Sequence, residues 1–239
     1  MIKKYTTILF DLDDTLLDFV SAEKKTLRYI HQEYYSNYEF ETFRKTYQTI
    51  NNSLWERVGS GQGSILPADV RYRRFIDLHV TLNIDLNHEV IAHSFENYLG
   101  QNTGWIDGVE NVVDLLAKKG YRLGIITNGL TTVQYLKYKT NSLQQWFECF
   151  VVSDEVGVAK PGREIFEIAF EKMDLKKHIL DEVLYVGDSL ASDGYGAKNA
   201  GIDFAFVNHK KIDLDGHELS ISFDLESVAD LPKLLMIDR

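Results

Sequence analysis

The sequence predicts an α/β protein: a doubly wound, Rossmann-like parallel sheet with a helical bundle inserted after its first strand. Three observations predict it. From Gly104 onward, short apolar runs alternate with helix-period segments, the pattern of a parallel sheet covered on both faces. From Asp18 to Leu99 the period is helical throughout. Thr6–Phe10 is a strand-like run with no helix of its own beyond that stretch, so it is expected to join the later sheet.

Each element follows from local pattern. Phe40, Phe43, Tyr47, Ile50 and Leu54 fall three and four apart, as do Leu86, Val90, Ile91, Phe95 and Tyr98, and each set gives one apolar helix stripe. "SAEKKTLRYIHQEYY" and "PADVRYRRFIDLHV" read as two further helices, the second with Pro67 placed for a first turn. "GSGQGS" (59–64) is the loop among them. Beyond Gly104 come a helix over Val109–Lys119 with Gly120 as its C-cap, a strand over Arg122–Ile126, and a helix after Gly129. A strand around Phe150–Val152, a helix over Arg163–Met173, a strand over Val183–Val186, a helix ending at Gly201 and a strand over Phe204–Val207 complete the pattern. The expected division is a core of residues 1–17 and 101–239 and a helical domain of residues 18–100.

The chain has 239 residues, 44% hydrophobic and 26% charged, with a formal net charge of −10. That balance argues against a nucleic-acid polymer or an anionic membrane as partner, since both need a basic face. No segment approaches the roughly 20 apolar residues of a membrane span. Asp11 interrupts the first apolar run too early for a signal peptide, and the single cysteine, Cys149, excludes an intrachain disulfide. A cytoplasmic protein is expected.

Function is written at the strand ends. "TILF" stops at Asp11-Leu12-Asp13, "LGII" at Thr127-Asn128-Gly129, and "VLYV" at Gly187-Asp188-Ser189. Parallel strands bring their carboxyl ends to one crevice, where ligands of open α/β sheets bind. That crevice would hold Asp11, Asp13, Thr127, Asn128, Asp188 and Asp193, and "VGVAKPGREIF" could deliver Lys160 to it. Singly, such an Asp is more often a helix cap or turn residue; together they form a pattern. Several carboxylates in one crevice need a cation. Oxygen ligands without a Cys/His cluster select Mg²⁺. A hydroxyl, an amide and a lysine around such a site suit a phosphoryl group.

These residues carry a resemblance. Asp11-Leu12-Asp13-Asp14-Thr15 resembles the DxDx[TV] motif of the haloacid dehalogenase-like (HAD) hydrolase superfamily. Thr127 matches its second motif, Lys160 its third, and Gly187-Asp188 with Asp193 its fourth. The inserted helices resemble the family's C1-type cap. The resemblance implies Asp11 as the nucleophile that forms an aspartyl-phosphate and Asp13 as general acid, then base. It implies Mg²⁺ held by the Asp11 carboxylate, the Asp13 carbonyl and Asp188 with Asp193 close by. Thr127, Asn128 and Lys160 would hold the phosphoryl oxygens, with Asp14 a bystander pointing elsewhere.

"DLDDTLLDF", "ITNG", "VGVAKP" and "VGDSLASD" look most like the pyrimidine 5′-nucleotidase branch. The implied activity is Mg²⁺-dependent hydrolysis of nucleoside monophosphates by a monomer or homodimer. Another small phosphoester (phosphoglycolate or a sugar phosphate), a sugar-phosphate mutase, and a non-catalytic binding protein on the same fold are the alternatives. The presence of Asp13 argues against dehalogenation. In the inserted helices, Phe19 is the first candidate for a substrate contact. Arg71, Arg73 and Arg74 read more readily as solvated charges, Trp55 and Tyr72 as core, and His31, His79, His88 and His93 as surface or packing residues.

Overall fold

The computed structural model describes residues 5–59, 65–216 and 218–237; the loop over 60–64 anticipated from "GSGQGS" lies outside them. The chain starts with β1 (Thr7–Phe10) and continues through four helices, α1 (Phe19–Tyr34), α2 (Phe40–Gly59), α3 (Pro67–Leu82) and α4 (His88–Asn102). It then alternates: α5 (Val109–Lys118), β2 (Arg122–Thr127), α6 (Thr131–Thr140), β3 (Cys149–Val152), a short α7 (Ser153–Val156), α8 (Arg163–Lys172), β4 (Val183–Gly187), α9 (Tyr195–Ala200) and β5 (Asp203–Val207). A three-residue β6 (Phe223–Leu225) and α10 (Leu231–Leu234) follow.

The described strands form one six-stranded parallel sheet in the order β3-β2-β1-β4-β5-β6. The chain winds outward from β1 through β2 to β3, returns to the other side of β1, and winds outward again. The reversal lies between β1 and β4, the switch point at which open sheets bind ligands. Phe10 is in register with Ile125 of β2 and Val186 of β4, so the polar residues after all three strands emerge at one level.

Strand alternation divides the core. Ile8, Phe10, Ile125 and Val186 pack with Val109, Val113 and Leu116 of α5 on one face. Leu9, Ile126, Val151 and Tyr185 pack with Ile165, Phe166 and Ala197 on the other. The four inserted helices have a third apolar cluster, centred on Phe43, Tyr47, Phe75 and Phe95, and it includes Leu130 and Val133 at the start of α6. Caps fix the helix entries: Asp18 accepts the Ser21 N–H, and Asn87 accepts those of Glu89 and Val90. Pro67 opens α3, and Gly120 and Gly201 adopt positive φ just beyond α5 and α9.

Two expectations shift. β6 was not anticipated, because three residues carry too little alternation to register. The helix ending at Gly201 is not uniform: Leu190–Gly194 forms a wide π-type turn ahead of α9, a feature often found at functional sites. Among the described residues, no helix is long and apolar enough to cross a membrane.

Candidate active site

Asp11 begins the loop after β1. Its N–H donates to Val186 O at 2.8 Å, which locks the loop to the end of β4. Its side chain is buried, and Oδ1 accepts from Lys160 Nζ at 2.5 Å. Asp13 faces different partners. Lys137 Nζ donates to its Oδ1 and Oδ2 at 2.7 and 2.8 Å, and Gln134 Nε2 donates to Oδ2 at 3.0 Å. Asp14 adopts a positive φ of 58° and its Oδ1 accepts the Val20 N–H at 3.0 Å. It acts as a cap, yet it also lines the cavity with Asp11 and Asp13, a correction to the expectation that it points elsewhere.

Lys160 is a fully buried cation with four oxygens around it. Nζ lies 2.5 Å from Asp11 Oδ1, 2.8 Å from Asp193 Oδ1, 2.8 Å from the Tyr185 hydroxyl and 2.9 Å from Ile126 O. Burial acts to lower its proton affinity, but Asp11 and Asp193 outweigh that and hold it above the ordinary lysine value. Asp193 is anchored from the wide turn: Oδ2 accepts the Ser189 N–H at 3.0 Å and Oδ1 accepts from the Tyr185 hydroxyl at 3.2 Å. Position 187 must be glycine here, because a Cβ would collide with the Asp193 carboxylate.

The residues after β2 serve partly as scaffolding. Asn128 spends its side chain on the Lys160 backbone, accepting the Lys160 N–H at 2.9 Å and donating to Lys160 O at 3.0 Å. Asn128 and Gly129 line the cavity. Thr127 is fully buried, does not line the cavity, and accepts from Gln134 Nε2 at 2.7 Å. Gln134 therefore ties Thr127 to Asp13.

Asp11, Asp188 and Asp193 can each bring one carboxylate oxygen within 4.8 Å of the other two. The electrostatics record their crowding. Desolvation, and then Asp11 and Asp193, push the Asp188 carboxyl up to about 8. Desolvation raises Asp11 despite Lys160, with Asp193 adding to the rise. One lysine does not neutralise three crowded carboxylates, two of them buried and Asp188 half-buried. The donor set is all oxygen and carries uncompensated negative charge, so it fits a hard divalent cation such as Mg²⁺. The Asp13 carboxylate lies outside this cluster, so only its carbonyl remains for the ligand role the resemblance implied.

These groups open into a cavity of about 740 Å³ between the sheet edge and the inserted helices. Phe19, Glu23, Asn51, Trp55 and Arg74 line its far wall, so Phe19 is placed as expected and Trp55 is not purely core. The arginines divide. Arg73 is exposed and pairs with Asp77, as anticipated. Arg74 is buried, contrary to its reading as a solvated charge. Arg71 Nε donates to Glu96 at 2.7 Å and its Nη2 to Thr132 of α6 at 2.8 Å, joining the inserted helices to the sheet layer. His79 is buried and shares a 2.6 Å hydrogen bond with the Tyr35 hydroxyl; it has no place in the cavity. Lys137, Gln134 and Tyr185 were not anticipated. The one available signal was a tyrosine in the otherwise aliphatic run "VLYV".

Residues 8–207 match the family model described as haloacid dehalogenase-like hydrolase. The chain belongs to this family. Among its HAD relatives, the HAD-hydrolase YfnB of Bacillus subtilis (strain 168) is 28% identical over 99% of this chain and 98% of its own. The structure of YfnB bound to magnesium superposes with a TM-score of 0.83, covering 98% of this chain and 100% of that one at 27% identity. The pyrimidine 5′-nucleotidase YjjG of Escherichia coli (strain K12) is 29% identical over 97% of this chain and 98% of its own. A glyceraldehyde 3-phosphate phosphatase of Pyrococcus furiosus is 30% identical over 98% of this chain and 93% of its own. The chain is therefore a hydrolase of the HAD family, and the expected fold and family are those observed.

Proposed function

We propose that this HAD hydrolase is a Mg²⁺-dependent phosphatase that acts through an aspartyl-phosphate, and that its substrates are pyrimidine nucleoside monophosphates. The observation that carries the chemistry is the pairing of two aspartates with two separate buried lysines, Asp11 with Lys160 and Asp13 with Lys137. Two carboxylates of one loop are thereby given different environments, as a nucleophile and an acid–base group require.

In this reading Asp11 attacks phosphorus: an Asp11 Oδ–P bond forms, the P–O ester bond breaks, and the leaving oxygen takes a proton from Asp13. Water then adds to phosphorus, Asp13 takes its proton, and the Asp11 Oδ–P bond breaks to release phosphate. Lys160 and the Asn128 backbone N–H hold the phosphoryl oxygens, while the Gly129 N–H is engaged by the Ser153 hydroxyl at 3.0 Å. Thr127 does not line the cavity and holds Gln134 behind it, and the Asn128 side chain ties its loop to the Lys160 backbone. Asp11, Asp188 and Asp193 with the Asp13 carbonyl would hold Mg²⁺, which when bound offsets charge on the carboxylates and the phosphoryl group. Residues 18–100 act as the cap over a core of residues 1–17 and 101–239.

The nucleotide assignment rests on the YjjG relationship and on the cavity. At about 740 Å³ it lies within the roughly 300–1,000 Å³ typical of sites for ligands of nucleotide size. The Pyrococcus relative favours a triose phosphate as a second reading, but such a substrate would leave most of that space to water. Phosphate release from UMP, dUMP and dTMP, beside glyceraldehyde 3-phosphate, phosphoglycolate and sugar phosphates, with Mg²⁺ or EDTA, tests both. Higher kcat/KM on the nucleotides is expected; preference for a sugar phosphate would replace the nucleotide reading while keeping the phosphatase.

A further inference from the structure

The inserted helices contain a second polar site that the proposed phosphoryl chemistry leaves unused. Arg74 of α3 and Asn51 of α2 both line the cavity, and both are more than nine-tenths buried at 4% and 7% exposure. Arg74 Nε and Nη2 and Asn51 Oδ1 have no hydrogen-bond partner. Buried polar groups are nearly always paired, so three orphaned atoms on two residues of one wall call for a ligand. Of the other unpartnered atoms, Tyr47 Oη does not line the cavity and interacts with Arg74, and Gln134 Oε1 belongs to the side chain that bonds Asp13 and Thr127.

The surroundings say what kind of ligand. The Arg74 guanidinium is held over Phe95 at 4.4 Å and Phe75 at 5.3 Å, with Nη2 3.9 Å from Glu96 Oε1. Its charge is partly compensated by Glu96, and its free N–H groups point to a neutral acceptor. Glu23 and Glu56 line the same cavity and would repel a second anion, such as the carboxylate of phosphoglycolate. Phe19 and Trp55 supply apolar surface around the polar atoms, while Phe95 lies fully buried behind the Arg74 guanidinium. The occupant is thus a neutral flat ring carrying a carbonyl acceptor beside an N–H donor.

We infer that Arg74 and Asn51 form a base-recognition subsite for an oxo-pyrimidine, uracil or thymine, with Arg74 donating to a ring carbonyl and Asn51 Oδ1 accepting the ring N3–H. The inference rests on the nucleotidase reading and sharpens it. Cytosine presents an acceptor at N3 and so mismatches Asn51. A site built to bond a substrate N–H discriminates strongly against an analogue lacking it.

The test compares kcat/KM of the Mg²⁺-loaded protein on UMP, 3-methyluridine 5′-monophosphate, CMP and ribose 5-phosphate, in wild type and in Arg74→Met. In wild type, N3-methylation and replacement by cytosine should each lower kcat/KM about 10–100-fold relative to UMP. Arg74→Met should lower UMP hydrolysis by about the same factor while changing ribose 5-phosphate less than about threefold. Equal rates on UMP and its N3-methyl analogue, or equal losses on UMP and ribose 5-phosphate in Arg74→Met, would overturn the subsite. The methylated substrate needs no variant, so the proposal stays open to refutation even if Arg74→Met misfolds. If wild type hydrolyses an aryl phosphate but not UMP, the nucleotidase reading itself fails, and the subsite with it.

Discussion

Lys137 Nζ lies 2.7 Å from one oxygen of Asp13 and 2.8 Å from the other, and both residues sit at the boundary of sheet and inserted helices. The lysine is buried and its Nζ also stands 5.0 Å from the Phe19 ring centroid. Both oxygens of Asp13 are therefore oriented by a side chain of α6, with Gln134 adding a third donor. To protonate a leaving group, Asp13 must turn one oxygen from Lys137 toward the cavity. In the mechanism proposed above, Lys137 is therefore a positioning residue for Asp13.

Lys137→Met should lower kcat by about 10–100-fold, part of the roughly 10²–10⁴-fold that positioned acid–base groups contribute. The loss should be greater for UMP, whose leaving alkoxide needs a proton, than for p-nitrophenyl phosphate, whose phenoxide does not. Lys137→Arg, which keeps the charge and a donor, should recover part of it. Steady-state kinetics on both substrates provide the check; equal losses on the two would remove Lys137 from the acid–base role.

Asp11→Asn should reduce turnover on the order of 10³-fold or more while leaving the protein folded, because a nucleophile is lost but the shape is kept. Lys160 retains Asp193 at 2.8 Å, so no buried cation is stranded. Phosphate release and circular dichroism on one sample separate the two effects. Substantial residual activity would contradict the aspartyl-phosphate.

The metal-free protein should lose stability as pH rises from about 5 to 8.5. Asp188 is raised to about 8 by burial, Asp11 and Asp193, and Asp11, Asp14 and Glu23 are raised by burial as well. Between the ordinary carboxyl range and these higher values the folded chain holds protons that the unfolded chain has released, so each unit of pH favours unfolding. Surface carboxylates shifted down, such as Glu41 and Asp114, act in the opposite sense but at lower pH. Mg²⁺ competes with those protons and should raise the thermal midpoint most at the alkaline end. Scanning fluorimetry across pH with EDTA or millimolar Mg²⁺ reads both trends. A Mg²⁺ shift that shrinks with rising pH would remove the metal from this cluster.

How far the sequence foretold this site depends on the length scale of each signal. β1, β2 and β4 were legible because each is an apolar run ending in a polar cluster, and parallel pairing forces those ends together. Lys137 and Gln134 were not, because two polar residues three apart on a helix look the same whether they face solvent or a carboxylate from Asp13, 121 or more positions away. The run Arg71–Arg74 shows the same limit. Arg73 points to solvent, while Arg71 and Arg74, one turn apart, face Glu96 and the cavity. Only the packing of α3 against α2 and α4 decides which arginine is buried. The position of Asn128 after β2 points to the cavity, which it lines, but the bonds of its side chain to the Lys160 backbone are a long-range pairing that leaves no local trace.

The link between the inserted helices and the sheet layer is a small network: Arg71 Nε donates to Glu96 Oε1 at 2.7 Å, Thr132 Oγ1 donates to Glu96 Oε2 at 2.8 Å, and Arg71 Nη2 donates to Thr132 Oγ1 at 2.8 Å. Glu96 is buried, with 3% side-chain exposure, and its other cation, Arg74, is 3.9 Å away. Removing Arg71 leaves this carboxylate short of partners where water cannot easily replace them. Arg71→Met should therefore cost about 1–3 kcal/mol, and Thr132→Val, which removes one hydroxyl from the network, about 1 kcal/mol. Because the three side chains act together, the double variant should lose less than the sum of the single losses. Urea unfolding of the three variants measures this coupling; strictly additive losses would show that Arg71 and Thr132 act on Glu96 independently.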